Sequence, residues 1–310
     1  MKYAIISDIH GNIAALNAVL ADAESLGVDK YLFIGDYASN FPWGNDVVDT
    51  IRNLKNAIVI AGNGEGYMEN FKNQDKIDYE HEKSKPILWA YRTLSEENID
   101  YLINLPKTAT VKDGDTNIYL YHAMGLFYRS PRIEIFHSLP FLKMMTEKPF
   151  SHDEYLSRAR AALLSCPDAV SDMLKMPSGV YLFGHNHMQF YIKHNDKLFI
   201  NPGSCGEPLD WDTRASYAIL TCVKNDWHVT ERKVEFDIHA VAKELDNSEF
   251  TTYAPMWSNI MKQGLLSGKD YFGPFVHHLY KTAQNQGITH GEPDNAIWDI
   301  AVKSWNMDKI

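Results

Sequence analysis

The sequence predicts an α/β fold in which two sheets stack face to face with helices outside them, followed by a helical C-terminal appendage. Three observations predict it. Strand and helix alternate through the first half, the second half is rich in strands, and from His239 onward the apolar residues fall at helical spacing. The chain has 310 residues, 45% of them hydrophobic and 23% charged. That is enough apolar material to bury a sizeable core, which excludes disorder as the main state.

The elements follow in order. Residues 2–7 form a buried strand and residues 12–26 a helix, with Ile13, Leu16 and Leu20 on one face, Asn12 placed to cap it and Gly27 placed to end it. Residues 30–34 form a second strand, 46–54 a helix and 57–60 a third strand, a βαβαβ rhythm that predicts a mostly parallel sheet. Residues 64–105 read as charged helical pieces. Strands at 108–111 and 117–121 flank the Asp113-Gly114-Asp115 turn. Pro131, Pro140, Pro149, Pro167 and Pro177 punctuate residues 124–177, which read as an insertion or lid with helices at 151–164 and 168–174. Strands resume at 179–183, 190–194, 198–200, 216–223 and 228–234, with Asn195-Asp196 and Asn225-Asp226 as hairpin turns. Helices at 240–245, 257–265, 275–283 and 295–305 complete the chain. The expected organisation is one domain over 1–235, carrying the insertion, and a separable helical extension over 236–310.

Forty acidic and 30 basic residues leave a net charge of −10. An acidic surface argues against a grip on duplex nucleic acid, which needs many Lys and Arg contacts to phosphate. Nucleotides remain open, because bound metal ions reverse the local charge of a site. Cys166, Cys205 and Cys222 form no C-x-x-C pair, which points to a reduced, cytoplasmic protein. No basic and apolar leader precedes the first strand, and no apolar run approaches the ~20 residues that span a bilayer. Neither a membrane nor an oligomeric state is indicated.

The chemistry-bearing residues recur just past strand ends. Asp8 and His10 follow the first strand, Gly35-Asp36 the second and Gly62-Asn63 the third. His122 follows the strand at 117–121, and Gly184-His185-Asn186-His187 follows the strand at 179–183. Carboxyl ends of strands converge on the ligand crevice of an open α/β sheet. Asp8 and His10 are two apart, as are His185 and His187, so extended backbone is expected to point each pair the same way. Imidazole, carboxylate and amide donors together suit two divalent metals such as Mn²⁺, Fe, Zn²⁺ or Ni²⁺, whereas an all-oxygen set would suit Mg²⁺ or Ca²⁺. No cysteine belongs to the set, which argues against structural zinc. Asp36 is assigned the bridge between ions roughly 3.5–4 Å apart, because the other ligands then divide evenly.

The ordered set Asp8-Ile9-His10, Gly35-Asp36, Gly62-Asn63-Gly64-Glu65, His122 and Gly184-His185-Asn186-His187 resembles the calcineurin-like metallophosphoesterases over roughly residues 1–235. Asn201-Pro202-Gly203-Ser204 and Arg214-Ala215-Ser216-Tyr217 are similar to the bacterial phosphodiesterase-like branch. The resemblance implies an α/β/β/α sandwich with a dinuclear site. It implies one metal on Asp8, His10, Asp36 and His187, and the other on Asp36, Asn63, His122 and His185. It also implies a catalytic role for Asp36, Asn63 and His122, with a hydroxide shared by the metals attacking phosphorus in line. The expected substrates are small phosphodiesters or nucleotide phosphoanhydrides. The alternatives are a phosphomonoesterase or Ser/Thr protein phosphatase, and a metal-free scaffold of the same fold.

Two departures from the family pattern bear on substrate. The family's Gly-Asn-His places a histidine where this chain has Gly64, removing a group that protonates the leaving oxygen. Glu65 is retained and read as support for the site. The Arg that protein phosphatases of the family carry soon after Gly-Asp is absent from Tyr37-Ala38-Ser39-Asn40-Phe41. Arg129 and Arg132 are the candidate phosphate clamp in its place. Tyr37, Tyr67 and Cys205 are read as packing residues.

Overall fold

The computed structural model describes residues 1–73, 81–124, 149–164, 167–224 and 226–307. Strand β1 (Lys2–Ile6) shows why two layers form on its two sides. Its side chains alternate, so that Tyr3 and Ile5 enter one core while Ala4 and Ile6 enter another. Beside it run β2 (Lys30–Phe33) and β3 (Ala57–Val59), all three parallel. Helices α1 (Ile13–Ser25) and α2 (Gly44–Asn53) cover their outer face with Leu16, Val19, Val47 and Ile51. Asn12 caps α1, its side chain accepting from Ala15 N at 3.1 Å. Helices α3 (Asn63–Lys72), α4 (Lys85–Thr93) and α5 (Glu96–Ile103) follow.

The second sheet holds β4 (Thr108–Asp113), β5 (Thr116–Tyr121), β6 (Gly179–Leu182), β7 (Gln189–His194) and β8 (Lys197–Pro202), in the order β4-β5-β6-β8-β7. Its inner face, with Ile118, Leu120, Val180, Leu182 and Ile200, packs on Tyr3, Ile5, Leu32 and Ile34. Helices α6 (His152–Leu164) and α7 (Pro167–Lys175) lie on its outer face, where Tyr155 and Met173 meet Phe183, Phe190 and Phe199. Four layers result, as the sequence predicts. The described helices of the 124–177 insertion thus form a layer of the sandwich. Residues 125–148, including Arg129 and Arg132, lie outside the described residues.

The sheet pairing departs from the expected division into a parallel first half and a β-rich second half. Strands β9 (Ala215–Val223) and β10 (Asp226–Val234) return to the first sheet, whose order is β10-β9-β1-β2-β3, with β9 antiparallel to β1. Pairing of this kind joins residues some two hundred positions apart, which local periodicity cannot report.

The C-terminal helices are α8 (Ile238–Asp246), α9 (Glu249–Tyr253), α10 (Pro255–Ser267), α11 (Phe272–Asn285) and α12 (Asn295–Ser304). Helix α9 has no counterpart in the sequence reading. These helices pack against the sandwich. Phe41 is buried in the same core as Trp257, Phe275 and Trp298, and Trp43 and Trp89 pack on that core. Trp257 Nε1 donates to Glu82 O at 2.8 Å, and Lys85 Nζ to Tyr253 O at 2.8 Å. Among the described residues no helix is long and apolar enough to cross a membrane.

Candidate metal centre

Five loops leave strand ends and meet at one rim. Asp8 and His10 come from the β1–α1 connection, Asp36 from the turn after β2, Asn63 from the start of α3, His122 from the end of β5, and His185 and His187 from the turn after β6. The expected extended backbone is not how the paired residues reach the site. Asp8, His10, Asp36, His185 and His187 all lie in the left-handed region, with φ of 53°, 52°, 59°, 73° and 60°. Each such residue costs about 1–2 kcal/mol of local strain, so packing and hydrogen bonds must hold them there. The backbone turns tightly enough at each position to bring side chains two apart onto one target.

The side chains form two groups. Asp8, His10 and His187 offer ligand atoms within 4.8 Å of one another, as do Asp36, His122 and His185. In the first, His10 Nε2 lies 3.1 Å from His187 Nε2, and Asp8 Oδ1 lies 3.5 Å from His187 Nε2. In the second, Asn63 Oδ1 stands 3.0 Å from His122 Nε2 and 2.8 Å from His185 Nδ1. Asp36 Oδ2 is 3.9 Å from His10 Nε2 and 3.3 Å from His122 Nε2, so one carboxylate faces both groups.

Buried partners fix the rings. His122 Nδ1 donates to Ile34 O at 2.6 Å, and His187 Nδ1 donates to Glu207 O at 2.8 Å. A carbonyl only accepts, so in both rings Nδ1 carries a proton and Nε2 is the atom turned towards the site, able to ligate once it carries none. His10 Nδ1 pairs with Ser39 Oγ at 3.1 Å. Glu65 is buried and accepts from Asp36 N, Tyr37 N and Gly62 N at 3.0, 3.0 and 2.7 Å, which pins the turn that presents Asp36. Gly184 packs so close that a Cβ there would lie 2.5 Å from Asp8 Oδ2. The Asn201–Ser204 segment ties two ligand loops together. Asn201 Nδ2 donates to Gly184 O at 3.0 Å, and Ser204 Oγ to Asp8 O at 2.7 Å.

The electrostatics follow from burial and pairing. Burial lowers the His10 pKa, and the neighbouring His187 lowers it further. Burial also opposes a charged His122, but the Asp36 carboxylate overrides it and carries that imidazole to about 10. Burial alone would raise Asp36, yet His122 outweighs it and holds the carboxyl below its ordinary range. For His187 the burial effect is outweighed by Asp8 and Glu207, and its pKa rises. The donors match the requirements of divalent first-row metals: imidazoles, two of them held by backbone carbonyls through Nδ1, two buried carboxylates and an amide oxygen.

All seven predicted ligand residues are thus brought together. Tyr37 is fully buried, Tyr67 is 52% exposed, and Cys205 is buried with its thiol pushed up by desolvation. Arg214 pairs with Asp212 at 2.6 Å. Ser39 and Glu207 escape the sequence reading as partners of His10 and His187. Glu207 follows the Asn201–Ser204 segment closely, whereas Ser39 has no local signal beyond its place after Asp36.

Residues 1–225 match the family described as the calcineurin-like phosphoesterase superfamily domain. An uncharacterized protein of Methanocaldococcus jannaschii is 28% identical over 251 residues, covering 76% of this chain and 88% of that one. A metallophosphoesterase from Sphaerobacter thermophilus is similar in structure with a TM-score of 0.59 at 24% identity, over 86% of this chain and 100% of that one. A hypothetical protein from Pyrococcus horikoshii superposes with a TM-score of 0.61 at 18% identity, over 87% and 99%. With the family match spanning residues 1–225 and so all five loops that meet at the rim, this chain belongs to the calcineurin-like phosphoesterase superfamily.

Proposed function

We propose that the protein is a dinuclear metal-dependent phosphohydrolase acting on small phosphodiesters or nucleotide phosphoanhydrides. The observation that carries this reading is the position of Asp36, whose Oδ2 faces His10 on one side and His122 on the other. In this reading Asp8, His10, Asp36 and His187 hold one cation, and Asp36, Asn63, His122 and His185 hold the other. Mn²⁺, Fe and Zn²⁺ all suit the donors. The bound cations supply Lewis acidity, lower the pKa of the attacking water and neutralise phosphate charge. The chain's own contribution is position. Ser39, Ile34 O and Glu207 O orient imidazoles, Glu65 anchors the Asp36 turn, and Gly64 N–H donates to Asp36 Oδ1 at 2.8 Å. Residues 1–235 carry this site, and 236–310 form a helical extension.

Gly64 supports the substrate class. It offers no side chain to protonate a departing alkoxide, so esters with poor leaving groups gain least. A Cβ at Gly64 would sit 3.2 Å from Asp36 Oδ1 and 3.8 Å from Ser39 Oγ, a tight but not closed space. Gly64→His is expected to raise monoesterase turnover relative to diesterase turnover by about tenfold or more. Metal content is measured alongside, because the new Cβ presses on Asp36. An unchanged ratio with metal content intact refutes the role given to Gly64.

The general test is turnover of a chromogenic diester, a monoester, cyclic nucleotides and dinucleoside polyphosphates before and after chelation. Diester or anhydride cleavage should disappear on chelation and return with Mn²⁺. Preference for monoesters would replace this substrate class with the phosphomonoesterase alternative. Absence of both metal and turnover would replace it with a scaffold role.

A further inference from the structure

The C-terminal helices reach the metal centre through one loop. Between α10 and α11, Gly268 O accepts from Trp211 N at 2.8 Å. Gly268 has a φ of 69°, and a Cβ there would lie 2.6 Å from Asp212 N and 2.8 Å from Trp211 C, so the two backbones are in contact. The Lys269 ammonium lies over the Trp211 and Tyr271 rings, 5.3 and 5.5 Å from their centroids. Asp270 is buried and accepts from Gly273 N at 2.9 Å.

The loop thus clasped carries Glu207 four residues before Trp211. Glu207 is itself held at three points. Its N donates to Ser204 Oγ at 2.8 Å, its Oε2 accepts from Asn40 Nδ2 at 2.7 Å, and its O accepts from His187 Nδ1. The second group is reached less directly: His122 Nδ1 donates to Ile34 O and His185 Nδ1 lies 2.8 Å from Asn63 Oδ1, both in the first half of the chain, while the turn that carries His185 meets the Asn201–Ser204 segment through the Gly184 backbone.

We propose that residues 268–271 are a positioning element for His187, acting through the Glu207–Asp212 loop, so that the C-terminal helices tune the first metal position more than the second. The proposal rests on the metal-centre reading above. Its consequence is a selective one. A merely structural tail would weaken both metal positions together when disturbed.

The test is Mn²⁺ binding to the full-length chain, followed by EPR titration in two backgrounds. Asn63→Ala with His185→Ala leaves the first group, and His10→Ala with His187→Ala leaves the second. Gly268→Ala, which drives a methyl into the Trp211–Asp212 backbone, is expected to weaken the first group about tenfold and leave the second within about twofold. Gly287→Ala is the matched control: its φ is 82°, equally left-handed, but its Cβ would meet nothing within 4 Å. It should change neither group. Lys269→Met, which takes the ammonium off the Trp211 ring, is expected to weaken the first group by about threefold or more, and it decides the matter if Gly268→Ala does not fold. Equal losses in both groups, or an unchanged first group in both variants, overturn the proposal. If the chain without these loop substitutions binds no Mn²⁺ in either background, the metal-centre reading fails first.

Discussion

Asp36→Asn is expected to lower phosphodiester turnover by about 10³-fold or more, since the shared anion stabilises several kcal/mol of charge in the transition state. The substitution is nearly isosteric. Gly64 N can still donate to the retained side-chain oxygen, and Glu65 still holds the Asp36 and Tyr37 backbone amides. The turn should therefore keep its shape, which circular dichroism and thermal melting check. What changes is charge. A neutral amide facing both His10 and His122 cannot balance two divalent cations. Metal analysis should find fewer than two ions per chain. A variant that retains both ions and most of its turnover removes Asp36 from the bridging role.

The second large effect is on pH. In the metal-free protein the Asp36 carboxylate holds the His122 proton up to about pH 10. A metal entering the second group must displace that proton. Its affinity should therefore fall about tenfold for each pH unit lost below that value, or about 100-fold from pH 8 to pH 6. Competition titration against a weak chelator measures this directly. The stability of the metal-free protein should move the other way. Because the folded His122 pKa lies above its ordinary 6.5, its contribution is fully present below 6.5 and is lost as pH rises towards 10. The lowered Asp36 contributes above its ordinary 3.8 and is lost as pH falls below it. Metal-free melting temperature should thus decline on the alkaline side while metal affinity climbs. A pH-independent affinity would mean that His122 and Asp36 do not share a proton in the empty site.

These two experiments bear on the same carboxylate from opposite sides. In Asp36→Asn the partner that raises His122 is gone, so the imidazole should titrate lower and the pH slope of binding at the second group should flatten near neutrality. If the slope survives the substitution, another group holds the proton.

How much of this was legible beforehand depends on whether the signal is local. The β1 strand could be read because Tyr3, Ala4, Ile5 and Ile6 are all apolar and both faces of the strand are buried. The meeting of the seven candidate ligand residues could be read because each motif follows its own strand, and strand ends in this fold share one rim. The reason given for the Asp8–His10 and His185–His187 pairs was wrong, however. Period-two reasoning holds only inside a strand, and these residues lie past the strand ends in left-handed turns.

The sequence by itself therefore determined the α/β class, the family, and which side chains gather at the rim, because apolar periodicity and motif spacing are properties of short stretches. Only the tertiary structure decided that β9 pairs with β1, that Phe41 anchors the C-terminal helices, and that Trp211 N–H meets Gly268 O. Contacts of that kind join segments far apart along the chain. They arise from the shapes of buried faces that must fit together, and no single stretch contains the shape of its distant partner.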